Sequence, residues 1–122
     1  MLLLIVILFL NFSLQAQKTT SKALTKTEHL IIDTIMKLEE VKERAKYVKD
    51  QTKGKRHLQY TIWEEPSKEA PYYLVKVIED NGISYYTHFN FYVYSKTMTI
   101  KYLDTVNDSI IDLEEWRERK KD

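Results

Sequence analysis

The segment Ile83-Ser84-Tyr85-Tyr86-Thr87-His88-Phe89-Asn90-Phe91-Tyr92-Val93-Tyr94 decides the fold. It is dense in aromatic and β-branched residues and contains no proline or glycine, so it predicts one long strand. Period-2 alternation puts Ile83, Tyr85, Thr87, Phe89, Phe91 and Val93 on an apolar face expected to meet a helix. The other face holds Ser84, Tyr86, His88, Asn90, Tyr92 and Tyr94, which are aromatic but polar-tipped. An apolar strand of this kind invites edge-to-edge association, so it is expected at the centre of its sheet or under a partner.

The neighbouring segments repeat the pattern. Asn81-Gly82 precedes the strand and predicts a two-residue type I′ hairpin turn, in which both residues take positive φ. Before it, Tyr72–Ile78 predicts a strand, and Glu64–Pro71 holds both prolines and predicts a loop. His57–Trp63 alternates, with Leu58, Tyr60 and Ile62 on one face. After the central segment, Ser95-Lys96-Thr97 predicts a turn into a strand over Met98–Asp104. Ile110 and Ile111 either add a short strand or only pack.

Upstream the period changes to that of a helix. Ile31, Ile35, Leu38, Val41, Ala45 and Val48 form one apolar stripe, with Lys37, Glu40, Glu43, Lys46 and Asp50 opposite. Thr25 and Glu28 have the spacing of a capping box, and Gly54 sits where a helix stop belongs. The stripe also permits two shorter helices broken near Leu38-Glu39. Asp112 and Glu115 predict a second capping box, opening a short final helix through Trp116. The expected fold is therefore α+β: an N-terminal helix packed on a four-stranded antiparallel meander, then a short C-terminal helix. Such a sheet has one covered face and one available face.

Met1–Leu10 is apolar throughout and the run fades before Ala16. A span of this length falls short of the roughly 20 residues a bilayer requires and fits a secretory signal peptide. The expected organisation is a signal peptide over 1–16, a disordered leader over 17–26 and one domain over 27–122. The expected location is periplasmic or secreted. The chain has no cysteine, so neither a lipid anchor at the cleavage point nor a disulfide framework is available. With 19 basic and 18 acidic residues, the formal charge of +1 provides no overall field for nucleic acid or an anionic membrane. No nucleic-acid partner and no membrane anchor after cleavage are expected.

Eleven of the fifteen aromatics lie between Tyr60 and Tyr102, so the sheet carries most of them. Tyrosine offers large contact area at low entropic cost and is enriched at interfaces. Tyr86, His88, Asn90, Tyr92 and Tyr94 form the candidate binding face. A protein partner is expected there, with a glycan held by ring stacking as the alternative. Against both stands the plain preference of tyrosine for strands and cross-strand pairs.

His88 is the one histidine inside a predicted core element with polar neighbours. A general base there requires a carboxylate within about 3 Å, and spacing identifies none. Asp104, Asn107, Asp108 and Asp112 gather oxygen ligands around one loop, but without EF-hand spacing they read as turn and cap formers. Lys46, Lys49, Lys53, Lys55 and Arg56 read as a solvated helix end, as does Arg117–Lys121. There is no glycine-rich phosphate loop, nucleophile elbow or zinc spacing. The chain is read as a non-enzyme without metal or cofactor.

The helix Val41–Val48, the strand Tyr73–Val77 and the segment Tyr92–Ile100, taken in that order, resemble the cystatin-like and PepSY-like families of small exported α+β domains. The PepSY hairpin's usual aspartate is Tyr94 or Ser95 here, and its turn glycine is Met98. NTF2-like and immunity-protein folds look similar at this level. The resemblance implies a non-enzymatic role, binding or inhibiting another protein such as a peptidase or toxin. It carries over no inhibitory residue.

Overall fold

The structure, a computed structural model, describes residues 23–121; the expected signal peptide and most of the expected leader lie outside the described residues. The elements in chain order are α1 (Lys26–Met36), α2 (Glu39–Gln51), β1 (Leu58–Glu64), β2 (Tyr73–Asp80), β3 (Tyr85–Tyr94), β4 (Thr99–Asp104), β5 (Ser109–Asp112) and α3 (Leu113–Arg119). The strands form one antiparallel meander in the order β1-β2-β3-β4-β5. This is the α+β class expected, with β3 central. It has five strands rather than four, because Ser109–Asp112 pairs with β4 instead of only packing.

Thr25 opens α1 with the capping box. Its hydroxyl accepts from the Glu28 backbone N–H at 3.1 Å, and Glu28 accepts from the Thr25 N–H at 3.0 Å. The helix therefore begins at Lys26, inside the stretch expected to be leader. The long helix is two helices. Leu38 takes an extended conformation (φ −63°, ψ 135°) between them, and the chain restarts with Val41 and Lys42 bonding back to its carbonyl. No glycine or proline marks the break. The Thr34 hydroxyl, bonded to the Leu30 carbonyl at 2.8 Å, loosens the last turn of α1. A twisted sheet presents a curved surface, and two short helices follow it better than one straight rod. At the other end of α2, Gly54 donates to the Lys49 carbonyl at 2.8 Å with φ 78°, which a side-chain-bearing residue adopts only under strain.

The helices cover one side of the sheet. Ile31, Ile35, Val41 and Val48 meet Leu58, Val75, Val77, Phe89, Phe91, Val93, Ile111 and Trp116 in a single core. Leu38 and Ala45, the rest of the helical stripe, pack at its margin. Trp116 of α3 closes the far end by stacking on Tyr102 at 4.1 Å. Each large side chain taken fully from water stabilises by roughly 1.5–3 kcal/mol, so α3 holds its place mainly through Trp116. Its expected capping box does not form. Asp112 makes no side-chain cap, and its carboxylate lies 3.6 Å from the Lys101 ammonium instead. The two helical layers are tied by Arg117 of α3, which donates to both oxygens of Glu40 on α2 at 2.9 and 3.0 Å. That fork holds the Glu40 carboxyl below its ordinary range.

The β2–β3 connection is not the two-residue turn expected from Asn81-Gly82. Gly82 has φ 89°, but Asn81 is not in the positive-φ region. The Asn81 side-chain oxygen accepts from the N–H groups of Ile83 and Ser84 at 2.9 and 2.8 Å, and Asp80 accepts from Gly82 at 2.8 Å. These local bonds compete with the tight turn and open a four-residue loop. β3 thus starts at Tyr85, and Ile83 is 96% exposed rather than on the core face. Met98 likewise belongs to the β3–β4 turn, at φ 54°, and not to β4.

Candidate functional site

One irregularity governs the site. β2 and β3 pair in step from Tyr73↔Val93 to Val77↔Phe89, after which Ile78 pairs with Thr87. His88 is thus an extra residue in β3, a β-bulge that reverses the facing of everything before it. Phe89, Phe91 and Val93 face the helices as expected. Tyr85 and Thr87, expected beside them, lie on the open side with Ile78 and Lys76. Tyr86 and His88 lie on the helix side.

The five candidate residues therefore do not form one surface. Asn90, Tyr92 and Tyr94 remain together on the open face, opposite Lys76, Leu74 and Thr99 respectively. The Tyr92 ring meets Tyr72 edge-on at 4.7 Å, and Tyr94 meets the same ring at 5.5 Å. Burial pushes the Tyr92 hydroxyl above its ordinary range, and the neighbouring Tyr72 and the charges of Glu64 and Asp108 add to the effect. Tyr86 and His88 instead face each other at 4.8 Å on the helix side.

His88 sits in a polar chain. Its Nε2 lies 2.7 Å from Oε1 of Glu79, and its Nδ1 lies 3.5 Å from the Arg44 guanidinium on α2. Arginine only donates, so this network assigns the ring proton to Nε2, which donates to Glu79, and leaves Nδ1 as the acceptor. Arg56 donates to the other Glu79 oxygen at 3.2 Å. The His88 hydrogen bond, with help from Arg56, holds the Glu79 carboxyl below its usual range against the opposing effect of burial. The carboxylate that a general base requires is therefore present. The His88 side chain is only 6% exposed, however, and its second nitrogen is covered by Arg44. As arranged, the chain Arg44–His88–Glu79–Arg56 can clamp α2 to the end of the sheet, but it presents no free nitrogen to a substrate.

The open face carries residues that the sequence did not single out. Trp63 occupies an irregular position in β1, between Ile62↔Val75 and Glu64↔Leu74, and is 58% exposed. The Lys76 ammonium lies 4.3 Å from its ring centroid. Trp63, Lys76, Ile78, Tyr85 and Thr87 line a shallow recess of about 470 Å³ at one end of the face. A second recess, of about 900 Å³, lies at the other end beside Tyr94 and Lys101. Asn90 and Tyr92 lie between the two along β3. Trp63 was legible in part: it falls on the opposite parity to Leu58, Tyr60 and Ile62.

The acidic loop works as a turn. Asp104 accepts from the Val106 and Asn107 backbone N–H groups at 3.0 and 3.2 Å and from the Asn107 amide at 2.8 Å, and it also pairs with Arg119. The Asn107 bonds hold its carboxyl low. Among the described residues there is no group of three or more His, Cys, Asp or Glu placed to hold a metal ion, and no helix long and apolar enough to cross a membrane.

Comparison of the chain with protein-family models, with curated proteins and with solved structures returned no match.

Proposed function

We propose that the chain is an exported, non-enzymatic protein-binding module that holds its partner on the open face of the sheet, in the manner of an inhibitor or immunity protein. The observation that supports this most is the asymmetry of the sheet. Three helices bury one side, while the other leaves Trp63 and Tyr85 exposed at one end and Tyr92 and Tyr94 half-buried toward the other. Aromatic anchors flanked by recesses are the composition of an interface core, and the lysines beside them suit its polar rim. The cystatin-like and PepSY-like resemblance implies the same class of role. The surface proposed here differs from the one expected from alternation: Trp63 and Tyr85 join Asn90, Tyr92 and Tyr94, and Tyr86 and His88 leave.

The test is affinity capture from an envelope extract with the mature chain. The double variant Trp63→Ala with Tyr85→Ala is expected to lose the protein that wild type retains, and Tyr86→Ala to keep it. Retention by the double variant would remove the face assignment. Release of the captured protein by soluble glycans would favour a carbohydrate-binding protein using the same rings.

A further inference from the structure

The recess of about 900 Å³ at the Tyr94 end of the open face is lined on one side by the β1–β2 loop and on the other by the β3–β4 turn. Both rims are tied internally. In the loop, the Ser67 N–H donates to the Ala70 carbonyl at 2.9 Å, and the Ala70 N–H donates back to the Ser67 hydroxyl at 3.1 Å. In the turn, the Thr97 and Thr99 hydroxyls are bonded at 2.7 Å, and the Thr97 N–H donates to the Tyr94 carbonyl at 3.3 Å. A cleft whose walls are fixed in advance loses less entropy on binding than one that must be ordered by its ligand.

The charge of the lining is one-sided. Lys68, Lys96 and Lys101 contribute to it, and no carboxylate does. Among the described residues, Lys68 and Lys96 have no acidic side chain within ion-pair distance, while Lys101 makes a 3.6 Å contact with Asp112. The apolar part of the lining comes from Pro66, Pro71 and Tyr94. The Lys101 ammonium also lies 5.8 Å from the Tyr94 ring centroid. Two free ammonium groups on the rims, with an aromatic ring and two proline rings in the same lining, match a ligand that alternates negative charge with apolar side chains.

We infer that this recess receives an acidic segment of the partner protein, with carboxylates meeting Lys68 and Lys96 and an apolar side chain seated against Tyr94. This rests on the open face being the protein-binding surface and adds the chemistry of what binds there. A peptide is favoured over an anionic polysaccharide because the proline and tyrosine walls call for apolar side chains between the charges.

The experiment is fluorescence anisotropy on the mature chain with three labelled probes. One is a peptide of alternating Glu and Tyr-Pro units, one the same peptide with Gln for Glu, and one an oligogalacturonate of matched charge. The acidic peptide is expected to bind, with affinity falling about tenfold from low to physiological salt. The neutral peptide and the oligogalacturonate are expected to bind at least about tenfold more weakly. Lys68→Glu with Lys96→Glu is expected to abolish peptide binding at an unchanged melting temperature, since both side chains are exposed. Tyr94→Ala is expected to weaken it about fivefold, and Tyr86→Ala on the helix side to leave it unchanged. Absence of peptide binding, survival of binding in the double lysine variant, or equal binding of the oligogalacturonate would each overturn the inference. The two claims fail separately. If the peptide does not bind but Trp63→Ala with Tyr85→Ala still loses the captured protein, the recess is excluded and the face stands. If the peptide binds and that variant keeps its capture, the Trp63–Tyr85 end of the face is excluded and the recess stands.

Discussion

The two sides of β3 are built from nearly the same kinds of residue and meet opposite fates. On one side Phe89, Phe91 and Val93 lie under three helices, with Phe91 fully buried and in ring contact with Trp116 at 5.9 Å. On the other side Asn90, Tyr92 and Tyr94 have no helix over them and meet the Tyr72 ring and the lysines of the sheet. Strand propensity treats phenylalanine and tyrosine almost alike, so propensity cannot set this difference. The helical stripe does, because it covers one side only. A tyrosine keeps its hydroxyl wet at the uncovered surface, whereas phenylalanine has no polar atom to satisfy and can be sealed in.

That contrast can be broken most severely at Phe91. Phe91→Ala removes a fully buried ring from the centre of the core and is expected to cost about 3–5 kcal/mol in urea unfolding, against about 1 kcal/mol for Tyr92→Ala next to it. Similar losses at both positions would mean that the open side is also sealed.

The polar clamp at the bulge comes next. Glu79→Gln weakens the contacts to His88 and Arg56 and is expected to cost about 1–2 kcal/mol at neutral pH. The folded-state carboxyl is held below its ordinary value, so its contribution is present above the unfolded value of about 4.3 and is lost as the pH falls through the folded one. The gap between wild type and Glu79→Gln should therefore close in acid. A gap that stays constant with pH would show that the charge on Glu79 is not what holds α2.

A smaller effect is expected where the two helical layers meet. Arg117→Ala frees Glu40, which is mostly shielded, and should cost under about 1 kcal/mol, less at high salt. The smallest is expected at the tip of the β2–β3 loop. Ile83→Ser should change stability by less than about 0.5 kcal/mol, since this isoleucine is almost wholly in water. A large loss there would restore it to the core face that alternation predicts.

What the sequence carried, and what it did not, follows from the range of the interactions. The helical stripe from Ile31 to Val48 and the Thr25–Glu28 capping box depend on neighbours three and four residues apart; the box is present as read, and the stripe reaches the core on two helices parted at Leu38 rather than on the one expected. The central place of β3 followed from its composition. The bulge at His88 did not, because it exists only in the pairing of β2 with β3, where a single extra residue moves Tyr86 off the face of Tyr92. The partner of His88 was hidden for the same reason: Glu79 is nine residues away and arrives across the hairpin. At Asn81 the tight turn expected from Asn-Gly gives way to side-chain capture of the next N–H groups. Trp63 could have been found from its parity in β1, and Lys76 beneath it could not.

The central claim is that a partner covers Thr87 and leaves Tyr86 open, although the two residues are adjacent. The chain has no cysteine, so single cysteines at these positions can be labelled without background. The measurement is the rate of thiol alkylation in Thr87→Cys and in Tyr86→Cys, with and without the captured partner. Thr87→Cys should label quickly alone and slowly in the complex, while Tyr86→Cys labels at the same rate in both. Protection of Tyr86→Cys with Thr87→Cys left reactive would contradict the claim and return the binding surface to the other side of the strand.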